Sequence, residues 1–497
     1  MDYSLLLFAI LKSYLFLTIY QQAHYQFRSY AKHFLSNFLY YNLFPIFIVT
    51  VGFFSDDVFV WWLCGIYLLF CGSFYLFCRK PLKVTKRMAR LIVLVVAVLI
   101  GYFFIPFAAP LFLLFSEYAV FPVLLLEKGI SYMCNRPYIR KAEEKYSRFS
   151  GKRIAITGSF GKTSTKFLLH QALSCFDTVA STQKSYNTPL GISKFINETP
   201  LDAYQTVILE YGASKKDDIA YLCRTFPADV AFVTAIGYMH LDGFKTIEEV
   251  IREKMILPER LGDDGIAVLN YECEEIRNYR FQNKCTLVTY GFDYGDYQAR
   301  NIEIGSVSKF DFYYLEEKLA TVVVRLVGKH QLLNLTGVLA YCHHCGLDLL
   351  KIVRAAYGFH VEKNRLERKQ YHRQLVLDDS FNSNLKGFKE ALYILKESPG
   401  THILLTPGMV ELGKYVRILS EQLIEDIVSA CDIVILVGYA NTRVFYQRLK
   451  EYALEVYVVR NFKEGYRLYQ TMIKTKDLTT LLIENDLPDL YRVGWMI

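Results

Sequence analysis

Four long apolar runs fill the first 130 residues of this 497-residue chain, and they constrain its fold more than any other feature. They extend from Leu5 to Tyr20, Phe38 to Phe54, Val58 to Cys78 and Leu91 to Leu126. A helix that crosses a bilayer needs about 20 apolar residues, so each of the first three suits one span. The fourth is too long for one span and carries Pro106 and Pro110 in its middle, where a helix breaks. A single cleavable leader does not account for four runs. The expectation is an α-helical membrane region over residues 1–130, with about five transmembrane helices in a lipid bilayer.

Charge sets the orientation. Arg79, Lys80, Lys83, Lys86, Arg87 and Arg90 lie between Cys78 and Leu91 with no acid among them, which predicts a cytoplasmic loop. Asp56 and Asp57 fit the outside, and Arg28 and Lys32 fit the inside. Five spans with an external N-terminus put everything after Glu127 in the cytoplasm. The basic loop reads as this topology signal in preference to a lipid-headgroup site.

Composition narrows the function classes. A chain that is 53% hydrophobic and 21% charged, with 38 Tyr and 36 Phe, is not disordered. The net charge of +8 forms no basic stripe outside that one loop, so no nucleic-acid partner is expected. Cys64, Cys71 and Cys78 repeat within an apolar run, and the other cysteines are scattered, which suits a reducing compartment. The cluster Cys342-His343-His344-Cys345 lacks a second ligand pair for zinc and reads as one turn of a packed helix.

After Arg136-Pro137 the pattern changes. A charged helix is predicted over Arg140 to Arg148, then a buried strand, Arg153-Ile154-Ala155-Ile156-Thr157. Gly158-Ser159-Phe160-Gly161-Lys162-Thr163-Ser164 follows, and then a helical run from Thr165 to Leu173. Strand, glycine loop and helix form the context a phosphate-binding loop requires. Gly158 and Gly161 let backbone N–H groups approach phosphate, and the helix N-terminus adds partial positive charge. Lys162 can reach terminal phosphates, and the Thr163 hydroxyl can bind Mg²⁺. Ile156 stands where the usual loop has its first glycine.

Apolar strands at 153–157, 206–209, 229–234 and 266–269 alternate with helical segments, which implies a parallel sheet covered on both faces. Glu210 ends one strand and His240 follows another, at the carboxyl edge where sites form in such sheets. The pattern repeats at Gln374 to Leu377, His402 to Thr406, Asp432 to Val437, Glu455 to Val459 and Thr480 to Ile483. The fold class expected is a membrane region plus α/β. A P-loop parallel-sheet ATPase domain (137–367) precedes a Rossmann-like C-terminal domain (368–497) that lacks a GxGxxG loop.

These residues resemble the Mur ligases, ATP-dependent amino-acid and peptide ligases of cell-wall synthesis, and among them the D-alanyl-D-alanine-adding (MurF-like) type. Thr157 to Ser164 matches the family's TGxxGKT[ST] loop. Lys184 to Gly191 resembles a substrate-side loop, and Leu209-Glu210-Tyr211-Gly212-Ala213 resembles E-M-G-A. His240 to Phe244 resembles H-L-E-G-F, and Lys254 stands where several members carry a carbamylated lysine. Gly328 to Asn334 resembles G-x-H-N-x-x-N, and Asn364-Arg365-Leu366-Glu367 resembles G-R-x-E. Asp379 to Asn384 resembles D-S-Y-N-A-N, and Gly408 to Gly413 resembles G-x-M-x-E-L-G.

The resemblance implies a carboxylate–amine ligase that works through an acyl phosphate made from ATP. It assigns Lys162, Lys254, His240 and Arg365 to catalysis. ATP would be held by Gly158, Ser159, Gly161, Lys162, Thr163, Ser164, Gln331, Asn334, Arg365 and Asp379. Two Mg²⁺ ions would be held by Thr163, Glu210, His240 and a carbamylated Lys254. Ser185, Asn187, Thr188, Asn382 and Asn384 would face substrate. The implied partners are an amino acid or dipeptide as amine donor and UDP-muramoyl-peptide as carboxylate acceptor, at a bacterial plasma (inner) membrane. The chain departs from the family at Gln331 (usually Asn), at Phe381 (usually Tyr) and in having apolar runs where soluble members grip UDP. That last departure leaves open a lipid-linked acceptor, or another polymer such as poly-γ-glutamate. A rival of a different class is a transport or signalling ATPase. It leaves Glu210, His240 and Arg365 without a task, and its substrate path would need charges that the apolar runs almost lack.

Overall fold

The computed structural model describes residues 3–22, 25, 27–36, 82–103, 116–183, 186–237, 244, 246–305, 307–362, 365–380, 385–409, 416–475 and 478–485. They divide into two compact units, one within 1–137 and one within 138–486.

In the first unit, helices α1 (Tyr3–Gln22), α2 (Phe27–Ser36) and α3 (Lys86–Phe103) are joined by the start of α4 (Ser116–Ser147). Phe16, Tyr20, Tyr30, Phe34, Leu91, Val95 and Leu124 form its apolar core. Arg87 and Arg90 lie in the first turns of α3, and both bond Glu127, which is fully buried in α4. Among the described residues no helix is long and apolar enough to cross a membrane. The expected spans Phe38 to Phe54 and Val58 to Cys78 lie outside the described residues, as do Pro106 and Pro110. Pro137, where the composition changes, does not end a helix: α4 continues through both Pro122 and Pro137.

The second unit is built on two sheets. The first opens with β1 (Lys152–Thr157), α5 (Lys162–Leu173), β2 (Val179–Ser181), α6 (Pro189–Glu198), β3 (Thr206–Glu210), α7 (Asp218–Thr225), β4 (Val230–Val233), α8 (Ile247–Glu259) and β5 (Ile266–Asn270). It continues with β6 (Thr286–Gly291), β7 (Tyr297–Glu303), β8 (Ser308–Tyr314) and β9 (Glu317–Val324). Among the described residues these make nine strands in the order β2-β3-β1-β4-β5-β6-β7-β8-β9. From β2 to β7 the pairs are parallel; β7, β8 and β9 form an antiparallel meander.

Strands buried on both faces need apolar side chains at every position, which is why β3 reads TVILE and β4 reads VAFV. Successive side chains point to opposite faces. Ile154 and Ile156 of β1, Ile208 of β3 and Phe232 of β4 join the core beneath α5 and α9 (Lys329–His344). Ala155, Val207, Leu209 and Val233 join the opposite core, with residues of α6, α7 and α8. The Cys342 to Cys345 cluster is the last turn of α9 and its cap. Cys342 is fully buried, Cys345 is exposed, and His343 Nδ1 pairs with the Tyr297 hydroxyl at 3.0 Å.

The second sheet contains β10 (Glu367–Tyr371), β11 (Gln374–Asp379), β12 (Thr401–Thr406), β13 (Ile433–Val437), β14 (Glu455–Val459) and β15 (Thr479–Glu484), with α10 (Leu385–Lys396) following β11. Among the described residues its order is β10-β11-β15-β12-β13-β14; only the β10–β11 pair is antiparallel. The four strands expected in the first sheet are present and parallel, and the antiparallel meander β7–β9 and the edge strand β10 extend the two sheets beyond them.

Candidate active site

The carboxyl ends of β1, β3 and β4 converge beside the N-terminus of α5, because neighbouring parallel strands end on one edge. The loop 158–161 leaves β1 and enters α5 with Gly158 at φ 145° and Gly161 at φ 80°. A Cβ on Gly158 would lie 2.2 Å from Thr234 Oγ1, and one on Gly161 would lie 2.8 Å from Asn334 Oδ1. Only glycine takes this path without strain. No side chain caps α5, so its first N–H groups are left for an anion. Ser159 braces the loop: its hydroxyl donates to Gly237 O (3.1 Å) and accepts from Gly237 N (3.2 Å). Thr163 and Ser164 are buried in the first turn.

Lys162 Nζ donates to the carbonyls of Gly158 (2.6 Å) and Ser159 (3.0 Å). Burial pushes its ammonium down to about 8; Arg365 adds to the fall and Glu210 opposes it. Glu210 ends β3 with its side chain 2% exposed. Its Oε2 takes Lys166 Nζ at 3.1 Å and its Oε1 takes Asn187 Nδ2 at 3.1 Å. Burial alone would raise the Glu210 carboxyl; Lys166, Lys162 and the two hydrogen bonds outweigh it and hold the group below the ordinary carboxylate range. Lys254, on α8, is 3% exposed. Burial, with Lys162 second, pushes it down to about 7. It is not the exposed helical lysine its polar sequence context allowed.

Arg365 lies within electrostatic reach of Lys162, Asp379 and Glu210; burial lowers its pKa and the acids oppose that fall. Asp379, at the end of β11, accepts the Leu366 N–H at 3.0 Å. This holds Leu366, next to Arg365, at φ 53°. Burial raises the Asp379 carboxyl against the pull of His330 and Arg365.

Asn334 packs against the phosphate-loop glycine Gly161. Gln331 is buried and its Oε1 has no hydrogen-bond partner among the described residues. Thr188 is the N-cap of α6, accepting from Gly191 N. His240, Ser185, Asn382 and Asn384 lie outside the described residues.

The donors fit a nucleotide and a hard cation. A hydroxyl and a carboxylate are oxygen ligands of the kind Mg²⁺ takes, with water and phosphate oxygens completing its shell. Among the described residues no group of three or more His, Cys, Asp or Glu side chains could hold a metal. Lys166 and His330 were not anticipated as functional. Lys166 lies four residues after Lys162, a spacing that puts both on one helix face. His330 Nδ1 and N both meet the Glu390 carboxylate of α10.

Comparison with known proteins finds a match over part of the chain. The profile of the Mur ligase middle domain matches residues 156–342. The chain carries a Mur ligase middle domain and is MurF-like. It is 27% identical over 265 residues to the UDP-N-acetylmuramoyl-tripeptide--D-alanyl-D-alanine ligase of Escherichia coli (strain K12), a match covering 52% of this chain and 58% of that one. The Bacillus subtilis (strain 168) enzyme of the same name is 26% identical over 281 residues, covering 55% and 60%. The chain thus spans somewhat over half the length of these relatives. Its fold matches the MurF ligase from Thermotoga maritima in complex with ADP, with a TM-score of 0.63, 23% identity, and coverage of 72% of this chain and 82% of that one.

Proposed function

We propose that this MurF-like chain is a membrane-anchored, ATP-dependent carboxylate–amine ligase of peptidoglycan-precursor synthesis. Residues 137–367 act as its ATP domain and residues 368–497 receive the amine. The observation that carries the reading is the grouping of Lys162, Glu210, Lys254 and Arg365 around one strand edge beside an uncapped helix N-terminus. A phosphate-binding ATPase needs Lys162; a ligase also needs charged groups that steer phosphoryl onto a carboxylate.

Carboxylate oxygen is a poor leaving group and must be activated. The γ-phosphoryl of ATP passes to the acceptor carboxylate, the amine nitrogen attacks the acyl phosphate, and phosphate leaves. Catalysis of the first step is positioning and charge neutralisation. The glycine loop and α5 seat the phosphates, Lys162 neutralises the terminal ones, and Arg365 offers a planar fork to the transferring group. Thr163 and Glu210, with His240, would hold Mg²⁺, which would supply Lewis-acid charge stabilisation. Burial pushes the Lys254 ammonium down to about 7, so it can give up a proton; its nitrogen then bonds the carbon of CO₂ and releases a second proton to leave an anionic carbamate, which would serve as an oxygen ligand. Asn187 and Thr188, with Ser185, Asn382 and Asn384, are the residues assigned to substrate.

The apolar N-terminal runs support a bilayer location with the catalytic part in the cytoplasm. They also support a lipid-linked acceptor as the alternative to UDP-muramoyl-peptide. The test is phosphate release by the full chain in membranes, against a panel of amines with either UDP-linked or lipid-linked carboxylates. Release that needs both an amine and a carboxylate is expected. Release indifferent to both would overturn the reading in favour of a transport or signalling ATPase.

A further inference from the structure

We infer that Lys166 is a positioning residue that makes divalent-cation binding at Glu210 conditional on bound nucleotide. The inference rests on the proposed role of Glu210 as a cation ligand and extends it to a residue with no assigned task.

Lys166 follows Lys162 by one helical turn, so α5 presents both ammonium groups to the end of β3. The Lys166 and Glu210 side chains are 3% and 2% exposed, and their charged atoms are 3.1 Å apart. A buried ion pair is a poor source of net stability, because desolvating both charges offsets their attraction. Its placement is better explained by the site. Both oxygens of Glu210 are engaged, one by an ammonium from α5 and the other by the Asn187 amide. The carboxylate is therefore ionised and fixed in direction before any cation arrives.

The same ammonium opposes a second cation on that carboxylate. Lys162 adds to the positive field, with Arg365 near Glu210 as well; Glu253 and Asp218 are the acids that face Lys254 behind it. Glu253 is occupied by the Asp217 and Ile219 N–H groups, and Asp218 by the Ser214 and Lys215 N–H groups. A divalent ion approaching Glu210 alone meets net repulsion. Nucleotide phosphates carry several negative charges to the end of α5 and reverse the sign. Lys166 thus holds the ligand ready and keeps the cation out until phosphate is present.

The test is a Mn²⁺ titration of the detergent-solubilised full chain, read by the loss of the free Mn²⁺ electron paramagnetic resonance signal, with and without ADP. The wild type binds Mn²⁺ weakly alone and about tenfold or more tightly with ADP. Lys166→Met raises nucleotide-free affinity by about tenfold or more, and Lys166→Arg restores wild-type behaviour. Adding Glu210→Gln to Lys166→Met removes the gain. A folded Lys166→Met whose nucleotide-free affinity is no higher than wild type overturns the inference, and so does a gain that survives Glu210→Gln. Should Lys166→Met fail to fold, Lys166→Gln takes its place with the same two outcomes, and a wild type whose affinity, corrected for Mn²⁺ bound by ADP in a protein-free control, is equal with and without ADP overturns the inference. Failure of the ligase reading is seen separately, as phosphate release that ignores amine and carboxylate, and does not alter the Mn²⁺ titration.

Discussion

The two sheets of the second unit share an architecture but differ in what their carboxyl edges carry. At the edge of the nine-stranded sheet, Lys162 and Lys166 act on the buried carboxylate of Glu210, and the buried Lys254 lies within electrostatic reach of Lys162. At the edge of the six-stranded sheet the buried groups are acids: Asp378, Asp379 and Glu484. The first edge is suited to hold anions. The second offers negative charge to His330 and Arg365, which stand between the sheets in the sequence. A common strand–helix alternation therefore fixes where an edge site forms, and the residues at the strand ends decide which charge it accepts.

Removing Glu210 is the strongest way to break the contrast. Glu210→Ala leaves Lys166 buried without its carboxylate, and the loss is expected at about 3–5 kcal/mol in urea unfolding. In protein that stays folded, amine-dependent phosphate release falls on the order of 10²–10³-fold. Asp378→Ala, at the other edge, loses a pair with Lys369, whose side chain is 30% exposed, and a hydrogen bond from Ser380 Oγ, and is expected to cost about 1–2 kcal/mol. Equal losses at both sites would erase the distinction.

Gly161→Ala tests the phosphate loop alone. The residue sits at φ 80° with Asn334 Oδ1 in the way of a Cβ, so backbone strain of about 1–2 kcal/mol and weaker ADP binding are expected by calorimetry. Lys254 sharpens the picture of the positive edge. CO₂ reacts with neutral amine, so a carbamate signal from ¹³C-bicarbonate should grow as pH rises through about 7 and vanish in Lys254→Arg. A pH-independent signal would break the assignment.

The smallest effect is expected where the sheets meet. Burial opposes protonation of His330, but Glu390 and Asp379 outweigh it, and its pKa is raised above 6.5. A raised folded value means the pair's contribution is fully present below 6.5 and is lost as pH rises through the folded value. Thermal unfolding of Glu390→Gln against wild type across this range should show that difference fade with increasing pH. A difference that grows with pH would contradict the pairing.

Most of the parallel strands were legible because burial on both faces demands continuous apolar runs, and 152–157, 206–210, 230–233 and 266–270 are such runs. The meander was not, because β7 and β9 carry many polar residues on half-exposed faces and no longer read as apolar strands. The phosphate loop was legible because strand, glycines and helix are contiguous. Lys166 was not, because in sequence it is one polar residue on an amphipathic helix. Its partner arrives from a strand 44 residues away. Arg87 and Arg90 follow the same logic: their stretch of sequence has no acid, yet Glu127 neutralises both from 40 and 37 residues away.

By itself the sequence determined the order of elements, the glycine loop and the carboxylate at a strand end, since each depends on backbone periodicity and near neighbours. Only the tertiary structure decided that Lys166 and Asn187 grip that carboxylate, that Lys254 is buried, and that Asn334 lies against Gly161. Desolvation and Coulomb energy depend on distance in space, and a linear pattern does not carry that distance.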